Sequence, residues 1–177
     1  MKVELVAKTI GVNRYEGLTL DEIIEAVARH GKIKESGLIT YLIDHTHWSP
    51  MEHTHFTYLI ETSREFSAQI FRHKSGHFQE YSLRYSKSKG IQPIEFRLQH
   101  ESNRQSSTVP IGTVNSDYTI TETPTATWEQ KCAIENAKRA LQDIDTAYKE
   151  LLDLGIARET ARRILPLATT TILHYTA

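Results

Sequence analysis

Between Thr127 and Gly155 the sequence carries one long amphipathic pattern that dictates how the rest must pack. Thr127-Trp-Glu-Gln130 is a capping-box sequence, and Ile134, Ala137, Leu141, Ile144, Tyr148 and Leu151 follow at spacings of three and four. The spacing predicts a single helix ending before Gly155. Its apolar face needs cover from other elements. At 177 residues the chain has the size of one domain and can bury roughly 70 % of its unfolded surface, so a core of its own is feasible.

The other elements are mixed in type. Val3 to Ile10 alternates loosely and predicts an opening strand. Thr19-Leu-Asp-Glu22 is a second capping box, with Ile23, Ile24 and Val27 as an apolar stripe and Gly31 as the stop. Ser36 is the expected cap of a short helix whose Leu38, Ile39, Leu42 and Ile43 face inward. His53 to Glu61 predicts a strand, and Ser63 to Phe71 a helix whose Phe66, Ile70 and Phe71 pack. Leu98 to Thr127 is polar and broken by Pro110, Gly112 and Pro124, which predicts a long, partly mobile excursion. A last helix is expected from near Ala157 into Ile164-Leu165, where Pro166 disturbs it. Helices interleaved with dispersed strands predict an α+β fold, mixed helices around a small, mostly antiparallel sheet.

Composition narrows the function classes. Lysine and arginine total 21 against 22 aspartate and glutamate, a formal charge of −1 that excludes a globally basic nucleic-acid binder. Cys132 is the one cysteine, which excludes a disulfide scaffold and a cysteine-based zinc cluster. No apolar run approaches a membrane span, and MKVELVAKTI lacks a signal peptide's apolar core. The expectation is a cytoplasmic protein with neither membrane nor nucleic-acid partners.

Three clusters carry chemistry. His45, His47, Glu52, His53 and His55 lie within eleven residues, and in a strand His53 and His55 would share a face. Lacking a supporting cysteine or a helical HExxH, this cluster suits structural or cofactor contacts better than a metal, and no metal is expected. The second cluster, Arg72 to Lys87, belongs to a stretch from Arg64 to Lys89 with six Lys/Arg and two Asp/Glu. Arginine forks, serine hydroxyls and aromatic faces together suit a nucleotide, though a solvated basic face would look the same. In the third, Arg158 and Arg162 stand four residues apart, on one face of a helix. No GxxxxGK[ST], GxGxxG or GxSxG sequence is present. Cys132 falls inside the amphipathic pattern as a packing residue, so a reaction here would rely on an exogenous cofactor.

The run RHK-x7-S, Arg72 through Ser82, continued by Leu83-Arg84-Tyr85-Ser86, resembles the signature of flavin-dependent thymidylate synthases, Arg-His-Arg, seven residues, Ser, then Arg-Tyr-Ser. His47-Trp-Ser-Pro50-Met-Glu52-His53-Thr-His-Phe56 is similar to the family's H-x-x-P-x-E-H-x-x-F segment. Arg158-Glu-Thr-Ala-Arg162-Arg-Ile-Leu165-Pro166 is similar to its R-E-x-A-R-x-x-L-P segment. Three motifs in order are far more specific than any one, and the match spans about residues 36 to 177.

The resemblance implies a single flavin-dependent thymidylate synthase-like domain over 1–177 and a homotetramer whose active sites draw on more than one subunit. It implies reductive methylation of dUMP to dTMP using FAD, NADPH and methylenetetrahydrofolate. Hydride from reduced flavin then activates the uracil, which agrees with the missing cysteine nucleophile. Carried over residue by residue, Ser49, Arg72, His73 and Lys74 would contact FAD, with Glu80 at the flavin–substrate boundary. Gln69, Arg72, Glu80, Tyr81, Ser82, Leu83, Arg84 and Arg162 would hold dUMP. Lys74 replaces the signature's second Arg, keeping charge but losing the planar fork. The family pattern continues past Leu165-Pro166 with an Asn-containing flavin-binding stretch and an Arg that polarises the uracil, expected beyond Ala177. The alternative expectation is a catalytically inactive nucleotide- or flavin-binding fragment that needs that segment.

Overall fold

The computed structural model describes residues 1–29 and 37–177. In chain order the elements are β1 (Lys2–Lys8), α1 (Leu20–Ala28), α2 (Leu38–Asp44), β2 (Phe56–Ser63), α3 (Arg64–Ile70) and β3 (His77–Glu80). They continue with β4 (Ile94–Gln99), β5 (Ser107–Val114), β6 (Ile120–Glu122), α4 (Trp128–Asp153), α5 (Arg158–Ala161) and β7 (Thr170–Thr176). One sheet has the strand order β1-β2-β7-β3 and the other β4-β5-β6. This is the α+β architecture expected from the sequence. Contacts divide the chain into two compact units: Met1–Lys2, Glu61–His73 and Glu80–Leu173 form the first, and Val3–Ile60, Lys74–Gln79 and His174–Ala177 the second.

In the first unit α4 lies on the β4-β5-β6 sheet. Thr127 accepts from the Gln130 amide at 3.3 Å while Gln130 accepts from the Thr127 amide at 2.9 Å, so both halves of the capping box form. The apolar face buries Ile134 with Ile91, Val114 and Ala168, and Phe96, Ile111 and Leu141 pack around them. Gly155, at φ 78°, takes the left-handed turn that follows the helix.

The stretch expected as a mobile excursion from Leu98 to Thr127 instead carries the end of β4 and all of β5 and β6, which pair antiparallel. The breakers fit the sheet in physical terms. Pro110 lacks an N–H, and the β4–β5 register shifts between Phe96 and Arg97 where Pro110 meets Arg97. At Gly112 a Cβ would stand 2.8 Å from Ile134 Cδ1, so glycine lets α4 approach closely. The polar turn satisfies itself: Asp117 accepts from the Thr119 hydroxyl at 2.7 Å and amide at 2.9 Å, which holds its carboxyl below the usual range. Polar residues that look unstructured in sequence are here the turn's own donors and acceptors.

In the second unit the Thr19–Glu22 capping box forms and α1 ends at Ala28. Gly31 and Ser36, the expected stop and cap, lie outside the described residues; α2 follows Gly37, at φ 108°. Ile23, Ala26, Leu42 and Ile60 are buried, whereas Ile43, expected to face inward, is 47 % exposed. A helix of seven residues buries too narrow a stripe for all four apolar positions. Strand β2 starts at Phe56, not His53, because Pro50 opens a 3-10 turn over Met51–His53 that Thr54 closes by donating to the Met51 carbonyl at 3.0 Å. His53 and His55 therefore do not share a strand face. In α3, which belongs to the first unit, Phe66 and Phe71 are exposed and the buried residue is Ser67, so the inward face is polar where an apolar one is expected. Among the described residues no helix is long and apolar enough to cross a membrane.

Thr62 on β2 is fully buried, and its Oγ1 has no hydrogen-bond partner among the described residues. An unsatisfied buried hydroxyl costs about 1–3 kcal/mol, and valine has nearly its shape without that demand. Thr62→Val is expected to raise unfolding stability by about 1 kcal/mol in denaturant titration, whereas a comparable loss would mean the hydroxyl is bonded.

Candidate functional site

The chemistry-bearing residues of the first unit gather at two places, the end of β3 and the loop that follows it. Glu80 closes β3 with its carboxylate only 17 % exposed. Taking most of a carboxylate out of water demands donors, and three arrive from two elements, α3 and β7. Ser67 of α3 donates to Oε1 at 2.7 Å, Thr171 of β7 donates to the same oxygen at 3.0 Å, and Arg64 at the start of α3 stands 3.5 Å from Oε2. Both hydroxyl residues are themselves buried.

The chain then turns through Tyr81 to Ser86. The Tyr81 amide donates to the Ile172 carbonyl of β7 at 2.7 Å, and the Ser82 carbonyl accepts from the amides of Tyr85 and Ser86 at 3.2 and 3.1 Å. Ser82 Oγ accepts from the Arg84 amide at 3.3 Å. Leu83, 2 % exposed, anchors the turn in the core and leaves Arg84 and Tyr85 pointing out. Lys89 lies 5.2 Å over the Tyr81 ring.

Here the second and third sequence clusters meet. Arg84 pairs with Glu159 of α5 at 3.3 Å, and Arg158 donates to the Tyr85 carbonyl. Arg162 does not continue α5; it begins a 3-10 turn and its Nε donates to the Glu159 carbonyl at 3.4 Å. The turn and α5 are thus joined through Arg84, Glu159 and Arg158, with Arg162 following in the same segment. The Arg84–Glu159 pair is more than half exposed, and such pairs contribute about 0–1 kcal/mol, so Arg84 can exchange partners at small cost.

The remaining expected contacts are distributed differently. Gln69 and Arg72 lie at the end of α3, where the Arg72 and His73 amides bond back to the Gln69 and Ile70 carbonyls at 3.1 and 3.0 Å. The side chains of Gln69, Arg72 and His73 are exposed. Lys74 and Ser49 belong to the second unit, and both are exposed. In that unit a Cβ on Gly76 would overlap the Tyr175 ring, which is stacked on Phe78 at 4.8 Å. Glycine is required there. A cavity of about 400 Å³ opens between α4 and the β5–β6 hairpin, lined by Trp128, Cys132 and Ile134 among others, and none of the expected site residues lines it. Cys132 therefore stands apart from the loop chemistry.

Ser67 and Thr171 are functional-site neighbours that sequence reading misses. β7 itself is missing from the sequence-based elements, although Ala168-Thr-Thr-Thr-Ile-Leu has the β-branched composition of a strand. A serine inside a predicted apolar helix face carries no signal until Glu80 is opposite it.

The family model described as thymidylate synthase complementing protein matches residues 5–177. A probable flavin-dependent thymidylate synthase of Paramecium bursaria Chlorella virus 1 is 37 % identical, over 95 % of this chain and 76 % of its own length. A flavin-dependent thymidylate synthase of Synechocystis sp. is 36 % identical, over 77 % of this chain and 57 % of its own. The chain thus spans between about half and three quarters of these two relatives' length. Among solved structures, a UMP/dUMP methylase PolB from Streptomyces cacaoi bound with 5-Br UMP superposes with TM-score 0.73 at 29 % identity, covering 99 % of this chain and 70 % of that one.

The loop's electrostatics generate a test. Glu159 competes with any anion for Arg84. Glu159→Gln is expected to tighten binding of a nucleoside monophosphate by about two- to fivefold in calorimetry at low salt, with the gain shrinking as ionic strength rises.

Proposed function

Because the chain belongs to the thymidylate synthase complementing protein family, we propose that it takes part in the reductive methylation of dUMP to dTMP with a flavin cofactor. The single observation that carries this reading is the joining of the turn after Glu80 to α5, through Arg84–Glu159 and Arg158–Tyr85, within one unit. Two sequence motifs 74 residues apart, from Arg84 to Arg158, thereby build one cationic surface with a held carboxylate beside it in sequence.

Each residue's contribution follows from its chemistry. Arg84 offers a guanidinium fork that exchanges Glu159 for the phosphate or a uracil oxygen. Arg162 adds charge to the same surface, and Gln69 and Arg72 present exposed donors at the end of α3. Ser82 and Leu83 hold the turn's shape, one through the Arg84 amide and the other through burial. Glu80 supplies an acceptor for a substrate N–H or O–H. Arg72, His73 and Lys74 are three consecutive exposed donors, a set that suits the pyrophosphate of FAD. Bound there, the flavin supplies hydride for carrying a methylene unit to the methyl level. NADPH as reductant and methylenetetrahydrofolate as carbon donor complete the proposed balance.

The reading extends to a homotetramer with shared sites and a cytoplasmic location. Exposed apolar side chains on β1, Val3, Leu5 and Val6, support a covering partner, since such an edge strand invites pairing.

The test uses purified chain. Flavin absorbance should accompany it or be restored by added FAD, and His73→Ala/Lys74→Ala should abolish that binding. Arg84→Ala is expected to weaken dUMP binding about tenfold or more, from the roughly 1.5–3 kcal/mol of a charge-assisted contact. Lys149→Ala, which removes only a surface pair to Asp145 at 2.7 Å, should leave it unchanged. Equal losses for both variants in calorimetry would overturn the assignment.

A further inference from the structure

A carboxylate oxygen has two lone pairs, and at Glu80 the two oxygens are treated unequally. Oε1 accepts from Ser67 Oγ at 2.7 Å and from Thr171 Oγ1 at 3.0 Å, so its acceptor capacity is spent. Among the described residues Oε2 has only the guanidinium of Arg64 beside it, at 3.5 Å, long for a charge-assisted hydrogen bond. Both hydroxyl donors are almost fully buried, at 2 % and 1 % exposure, so water does not compete for them. They also come from elements distant in sequence, α3 and β7, and so clamp the carboxylate from two directions. Ser67 has a second acceptor in reach, the Arg64 carbonyl at 3.1 Å, but its hydroxyl carries one hydrogen and the carboxylate is closer.

We propose that Ser67 and Thr171 are positioning residues for Glu80. Their hydroxyls saturate Oε1, fix the rotation of the carboxylate, and leave Oε2 as the oxygen that accepts an N–H or O–H from the substrate. The proposal rests on the reading of Glu80 as a dUMP contact. It adds which oxygen makes the contact and what orients it. A hydroxyl at 67 and at 171 is then required for its donor rather than its volume. Thr62, equally buried but without a partner among the described residues, is the natural control.

The experiment measures dUMP affinity by calorimetry on the wild-type chain and on Glu80→Gln, Ser67→Ala, Thr171→Val, Thr171→Ser and Thr62→Val, with thermal melts to check folding. Thr171→Val keeps the shape and removes the hydroxyl; it should weaken dUMP by about three- to tenfold, the range for one hydrogen bond. Thr171→Ser should bind within twofold of wild type, and Thr62→Val should not change affinity. On the Glu80→Gln background, Thr171→Val should add little, because the two act as one unit. Equal losses for Thr171→Val and Thr171→Ser, or full additivity with Glu80→Gln, would overturn the proposal. If Ser67→Ala does not fold, the Thr171 pair decides alone. Wild-type affinity in Glu80→Gln itself would overturn the reading of the site, a result distinct from loss in Glu80→Gln with none in Thr171→Val.

Discussion

The largely covered carboxylate of Glu80 is the interaction around which the first unit's chemistry is organised. A carboxylate taken out of water is unfavourable unless donors replace the solvent it loses. Supplying them commits α3 to turn Ser67 inward, commits β7 to lie where Thr171 reaches the same oxygen, and brings Arg64 alongside. The turn from Tyr81 to Ser86 begins at the next residue, so its starting direction is set by that clamp. Its course is completed by the Tyr81 amide on β7 and by Leu83 in the core.

A second arrangement gives this turn a partner. Helix α4 packs by its apolar face on the β4-β5-β6 sheet, and α5 follows it after Gly155. Tyr148 on α4 accepts from the Ser88 amide at 3.2 Å, tying the segment after the turn to the helix. Arg158 and Glu159 then meet Tyr85 and Arg84. The surface is cationic because arginines from two remote segments converge on it, while the chain as a whole carries a formal charge of −1.

Mixed sequence legibility has identifiable causes. The two capping boxes and the α4 stripe are local patterns, with donors and acceptors three residues apart, and they form as read. The β4-β5-β6 sheet is poorly legible because Pro110 and Gly112 look like breakers until a register shift and an approaching helix accommodate them. The histidine cluster misleads because Pro50 starts a 3-10 turn that postpones β2 to Phe56. In α3 the helix is legible but its inward face is not, since what is buried there is a hydroxyl that matters only once Glu80 is opposite.

By itself, the sequence determined the long capped helix, the motif residues from Arg72 to Ser86 and from Arg158 to Pro166, and the family they belong to. Those are properties of residue types at short, fixed spacings. Only the tertiary structure decided that Arg84 meets Glu159, that Ser67 and Thr171 share one oxygen of Glu80, and that Cys132 faces a cavity away from the loop. Such pairings join residues 13, 75 and 91 positions apart, and no local periodicity encodes which hydroxyl a largely covered carboxylate will find.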